Sequence, residues 1–249
     1  MFKNFLKLRQ KIMYKNLKIA AYFSCLCIQS ITANYNYTLL HPETYHIQNH
    51  IQQTASLIIY CGSMCSGKSE EVIRVVSRLI IANPMIIGVF KPLLDNRQLS
   101  NDDKDPAKFI FSRNGGSVGC TAVETVADME LLVQKNSYEI IAIDEAQFFD
   151  KDQLIDFVKR MLTANKKVII FGLDLNFRGE TFGAMGELLA MADQVNKLTA
   201  VCACCGKDTY CITQRIIDGK PAHYNDPLIM VGNQQYEPRC RNCHQVRKD

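Results

Sequence analysis

The stretch "YCGSMCSGKSEE", Tyr60 to Glu71, decides the fold. It completes the pattern G-x-x-x-x-G-K-[ST], in which a glycine-bracketed turn aims backbone N–H groups at phosphate oxygens. Gly62, Ser63, Met64, Cys65, Ser66 and Gly67 form the turn, Lys68 can reach the outer phosphates, and the Ser69 hydroxyl can ligate Mg²⁺. The pattern carries meaning only between a strand and a helix. "SLIIYC" (Ser56 to Cys61) supplies an apolar run of β-formers, and Val72, Ile73, Val75, Val76, Leu79 and Ile80 recur at helical spacing behind the loop. This context selects a bound nucleoside triphosphate over an incidental glycine turn.

Working outward, "MIIGVFKP" (Met85 to Pro92) reads as a second buried strand and "LLDNRQLSNDDKDPAK" (Leu93 to Lys108) as a polar loop. "FIFS" (Phe109 to Ser112) is a strand before the turn "NGG", and Thr125 to Val133 is helical, with Val126, Met129, Leu132 and Val133 on one side. "EIIAIDEAQFF" (Glu139 to Phe149) reads as one continuous apolar strand ending in two carboxylates. A helix (Leu154 to Leu162), a strand "KVIIFGLD" (Lys167 to Asp174) and a glycine-punctuated loop follow. The strands are apolar at every position rather than every second one, as expected where both faces of a parallel sheet are covered. The predicted class is α/β, a P-loop type parallel sheet with helices on both faces.

In such sheets ligands sit beyond the carboxyl ends of the strands. Asp144, at the end of Ile140–Ile143, therefore fits the acid that holds Mg²⁺ opposite Ser69; its plainer reading is a helix-capping acid. Glu145 beside it can accept a proton as an alcohol, or water, attacks the terminal phosphate. "DEAQ" is also close to the box of DEAD-type helicases, so these two carboxylates alone do not separate a kinase from an ATPase.

With 47% hydrophobic residues over 249 positions, the chain can bury a large core. Its formal charge of +4 is misleading. Residues 1–55 carry six Lys and Arg against the single acid Glu43, so the remainder stands at −1 and offers no general attraction to nucleic acid. That leader, with its apolar stretch Ile19 to Ala33, has the look of a targeting signal. The preferred expectation is a disordered extension or an overlong gene start, because an ATP-consuming, thiol-rich enzyme belongs in a reducing, cytoplasmic compartment. No other segment is apolar for the roughly 20 residues that a membrane span requires.

Eleven cysteines do not form a disulfide framework here, since six of them crowd into the last fifty residues. Cys202-x-x-Cys205 and Cys240-x-x-Cys243 are two knuckles offering four thiolates to a closed, structural Zn²⁺ site. His244 abuts the second pair and is the alternative fourth ligand, although the i, i+3 spacing favours the cysteines. Between the knuckles, Asp218 to Cys240 forms a long hairpin-like excursion. Its Tyr236 could lie flat on a planar ligand or merely cover the zinc knuckle. The predicted organisation is an extension (1–55), a P-loop domain (56–200) and a zinc-binding domain with a long loop (201–249).

In chain order, "GSMCSGKSEE", "KPLLDNR", "DEAQFF", "GLDLNFRGETFG", "LTAVCACCG" and "YEPRCRNCH" make the sequence from Leu57 onward similar to the compact, zinc-containing thymidine kinase family. The resemblance implies that Glu145 is the base for the 5′-hydroxyl of thymidine. It implies that Lys68, Ser69 and Asp144 manage the triphosphate and its Mg²⁺, with Asp95, Arg97 and Gln147 also at the nucleotide. Met64, Phe148, Leu173, Phe177 and Phe182 match the pocket around the thymine ring. Tyr236 and the backbone of Leu228, Ile229, Met230 and Val231 match a "lasso" that closes over the base. One methyl group is worth only about 1–3 kcal/mol in such a slot, so uracil analogues should still bind. A homotetramer and feedback inhibition by thymidine triphosphate are further implications.

Several residues depart from the family pattern. Cys65 replaces a usual Phe, Arg113 a usual His, Asn176 a frequent Asp and Thr181 a common Pro. None of these removes a catalytic group, and Cys65 sets an oxidisable thiol beside the triphosphate. A DEAD-box ATPase would need a second motor domain and a basic track, and a non-catalytic zinc module would leave the phosphate loop idle.

Overall fold

The first strand, β1 (Ser56–Cys61), runs through the glycine loop into α1 (Lys68–Ala82), as the flanking sequence predicts. The computed structural model describes residues 55–82, 86–94, 105–230 and 235–248, and these belong to one compact unit, Gln53–Asp249. The expectations for the leader, Asp95, Arg97 and Val231 lie outside the described residues. After α1 come β2 (Ile87–Pro92), a hairpin of β3 (Phe109–Phe111) and β4 (Ser117–Gly119), β5 (Thr121–Val123) and α2 (Val126–Asn136). β6 (Ile140–Ile143), α3 (Lys151–Thr163), β7 (Lys167–Gly172), α4 (Met185–Met191) and β8 (Gln194–Lys197) complete the larger layer.

The six-stranded sheet has the order β5-β2-β6-β7-β1-β8, and every pairing in it is parallel. The apolar runs are explained by its two covered faces. Leu57, Ile59, Ile141, Ile143, Val168 and Ile170 pack on one face with Met129 of α2, Phe157 of α3 and Leu188 of α4. Their neighbours Ile140, Ala142, Ile169 and Phe171 pack on the other with Val72 and Val76 of α1 and with Ile110 and Val118 of the hairpin. Each fully buried Val, Leu, Ile, Phe or Met among them contributes about 1.5–3 kcal/mol. Among the described residues, no helix is long and apolar enough to cross a membrane.

Two expected strands are shorter than their apolar runs. The one expected to continue through Phe149 stops at Ile143, because Glu145 adopts a left-handed backbone (φ 49°, ψ 41°) and a 3-10 turn follows at Ala146–Phe148. Similarly, β7 ends at Gly172, leaving Leu173 and Asp174 beyond the sheet.

The smaller layer holds β9 (Ala200–Val201) with β10 (Asp208–Thr209), and a three-stranded antiparallel sheet of β11 (Cys211–Ile217), β12 (Lys220–Pro221) and β13 (Gln235–Cys240). The hairpin-like excursion is thereby closed at its base, since β13 returns along β11 with Cys240 opposite Cys211 and Tyr236 opposite Arg215.

Candidate active site

In a parallel sheet, all strands end on one edge. Cys61 of β1, Ile143 of β6 and Gly172 of β7 release their chains on that edge, beside a cavity of about 890 Å³. One end of the cavity is the phosphate loop: Met64, Cys65, Ser66, Gly67, Lys68 and Ser69 line it. Gly62 and Ser63 lie behind these residues. Gly62 has φ 154°, and a Cβ there would stand 2.8 Å from both Leu198 O and Ser66 Oγ, so the tight turn requires glycine. The Lys68 ammonium is folded onto the loop, donating to Ser63 O at 2.8 Å and Gly62 O at 3.1 Å. Cys65, at φ 62°, accepts from Arg113 Nη1 at 3.2 Å, which brings the hairpin tip over the cradle.

Asp144 and Glu145 form the floor of the cavity. Asp144 N–H still bonds back to Phe90 O at 2.8 Å, and its Oδ1 accepts the Glu145 N–H at 2.9 Å. The left-handed step at Glu145 turns the chain sharply off the sheet edge. Such a backbone state is uncommon for a residue with a Cβ, and it marks functional sites more often than plain loops. The Glu145 side chain is 7% exposed and borders the cavity, with Oε2 accepting from Gln147 Nε2 at 2.5 Å. A partly solvent-shielded carboxylate, a phosphate cradle and a flanking acid thus share one space. Behind them, burial and then the field of Asp174 push the Cys61 thiol up to about 11, so it stays protonated.

The other end of the cavity is apolar and assembled from distant segments. Leu173, Phe148, Phe177 and Phe182 line it, and Phe148 meets Phe182 edge-on at 5.6 Å. Buried Asn176 shapes this loop: its Oδ1 accepts from the N–H groups of Arg178 (2.8 Å) and Glu180 (3.2 Å), closing a turn that holds Phe177. Leu228, Ile229, Met230 and Tyr236 close the opposite wall. What holds that wall is Arg215 on β11, 2% exposed. Its guanidinium donates to Pro227 O at 2.5 Å and to Leu228 O, lies 4.0 Å from the Phe177 ring centroid and 5.5 Å from that of Tyr236. A buried cation so engaged is costly to desolvate but fixes the geometry of everything it touches. Thr213, two residues earlier, accepts the Met64 N–H at 3.0 Å and ties the two ends of the cavity together.

Farther out, the sulfurs of Cys202, Cys205, Cys240 and Cys243 all lie within 4.8 Å of one another, with Cys205 and Cys240 at 3.8 Å. Tetrahedral Zn–S bonds of about 2.3 Å separate their sulfurs by roughly 3.8 Å, so the cluster is compatible with a structural Zn²⁺. Backbone N–H groups, that of Cys240 foremost, pull the Cys202 thiol down to about 6; Cys243 donates to Cys240, which lowers the Cys240 thiol and raises that of Cys243, so without a metal one proton is shared across this pair. His244 is occupied elsewhere. Its Nε2 is 2.9 Å from Phe177 O, and since a carbonyl only accepts, that nitrogen carries the proton; burial holds the ring below its usual pKa.

The structure therefore gathers the phosphate loop, the two acids, the five pocket side chains, the three described lasso residues and Tyr236 around one cavity. Gln147, expected at the nucleotide, does not border it. Lys91, Arg113, Thr213 and Arg215 do border it and had no place in the sequence reading of the site. Arg113 alone carried a signal, as a departure from the family pattern; a lone arginine or threonine in a strand carries none. A scan against protein-family models matches residues 55–244 to one described as thymidine kinase.

Proposed function

The chain belongs to the thymidine kinase family, and from that premise we propose that it moves the terminal phosphoryl group of ATP to the 5′-hydroxyl of thymidine with Glu145 as general base. The observation that carries this reading is the position of Glu145. Its carboxylate borders the same cavity as Lys68 and Ser69 at one end and the aromatic slot at the other. The nucleoside sugar would lie over Glu145, with the pyrimidine between Phe177 and Tyr236 and the triphosphate on the glycine loop. As the 5′-oxygen bonds to the terminal phosphorus, the bond from that phosphorus to the bridging oxygen breaks. The hydroxyl proton passes to Glu145, and ADP leaves.

Lys68 would exchange its two loop carbonyls for phosphate oxygens, meeting charge that grows toward the leaving group. Ser69 and Asp144 are the residues that would hold Mg²⁺, which neutralises phosphate charge when bound. The Zn²⁺ of the cysteine cluster would tie the turn between β9 and β10 to the end of β13 and so steady the sheet that carries Tyr236 and, beside it, Arg215. The same reading divides the chain near residue 200 into a P-loop part and a zinc and lasso part, and extends to a homotetramer working in the cytoplasm on nucleosides for DNA synthesis. The test is acceptor-dependent ADP release with ATP and Mg²⁺. Thymidine should stimulate release, and single-stranded DNA should not; stimulation by DNA with none by thymidine overturns the reading.

A further inference from the structure

Gln147 is 3% exposed and buried behind the cavity wall, yet both ends of its amide are used. Nε2 donates to Glu145 Oε2 at 2.5 Å, and Oε1 accepts the Leu173 N–H at 2.9 Å. The orientation of this amide is dictated by its partners. The Leu173 N–H can only donate, so oxygen must face it, and the NH₂ group is thereby aimed at the carboxylate. The amide forms a strut from the acid beyond β6 to the first residue beyond β7. Space for it exists because position 172 lacks a side chain: a Cβ on Gly172 would stand 2.6 Å from Gln147 Oε1. Gly183 is as close on the other side, where a Cβ would come within 2.5 Å of Gln147 O.

We infer that Gln147 is a positioning residue for the base, which fixes the Glu145 carboxylate by donating to its charged form and registers it against the Leu173 wall of the pocket. The inference rests on the assignment of Glu145 as base. It replaces the nucleotide contact that the family resemblance implied for Gln147. Without the amide, the carboxylate loses its tie to the Leu173 wall, and a base out of line with the bond being made is read in turnover rather than in binding.

The experiment compares kcat, with KM for thymidine and ATP, in the full chain and in Gln147→Met, Gly172→Ala and Glu145→Gln. Gln147→Met keeps the volume and removes the donor. It should lower kcat by roughly 10- to 100-fold, with both KM values within about twofold of wild type. Gly172→Ala displaces the amide without deleting it and should lower kcat by less, with the same unmoved KM values. A Gln147→Met protein that binds thymidine calorimetrically and keeps the wild-type kcat, or that loses kcat and both KM values together, overturns the inference. Should that variant fail to fold, a wild-type kcat in Gly172→Ala overturns it instead. Wild-type turnover by Glu145→Gln would remove the base assignment itself, a separate failure.

Discussion

The two ends of the cavity are built by different means. The phosphate end is nearly contiguous in sequence: one loop between β1 and α1, joined by two residues at the end of β6. Its geometry is set by local backbone, with Gly62 and Cys65 at positive φ and Lys68 bonded to carbonyls five and six residues before it. The aromatic end draws on Phe148, residues 173–182, 213–215 and 228–230, and Tyr236, and is held by long-range contacts that converge on Arg215. In the proposed reading, chemistry common to every phosphoryl transfer is encoded locally, while the shape that would select the acceptor depends on tertiary packing. Damage to the first should be read in turnover, and damage to the second in acceptor affinity.

Lys68→Met attacks the local end. It should reduce kcat by roughly 10²- to 10³-fold while calorimetric thymidine affinity stays near wild type. An equal loss of thymidine binding would mean the ends are not separable. Arg215→Met attacks the packed end, leaving the Pro227 and Leu228 carbonyls without their charged donor. KM for thymidine should rise roughly 10- to 100-fold, with KM for ATP within about twofold, and Arg215→Lys should recover part of the loss. A rise in both constants, or in neither, would deny Arg215 its place as anchor of the lasso wall. The smallest effect belongs to the link between the ends. Thr213→Val removes the acceptor for the Met64 N–H and should cost about 1 kcal/mol, seen as a roughly fivefold rise in both KM values together.

The same contrast explains what the sequence discloses. β1, the loop and α1 are legible because one short pattern fixes them together. The buried strands β2, β6 and β7 are legible because both faces of the sheet demand apolar residues. The apolar run from Glu139 misleads at its end, since nothing in the glutamate side chain announces the left-handed step at 145. β8 escapes notice because an edge strand reading "QVNK" has one apolar side chain, itself 46% exposed. Met64, Leu173 and Phe177 are legible as a pocket only through resemblance to a family, for their neighbours in space are far away in the chain. Arg215 is illegible because an arginine in a strand ordinarily reads as surface, and its burial depends on Phe177, Tyr236 and two distant carbonyls.

All of this converges on the carboxylate of Glu145. The most direct measurement is single-turnover phosphoryl transfer to thymidine by Glu145→Gln, with both substrates shown calorimetrically to bind at wild-type affinity. A base in that position predicts a rate lower by roughly 10²- to 10⁴-fold. A rate equal to that of the unaltered enzyme would contradict the account.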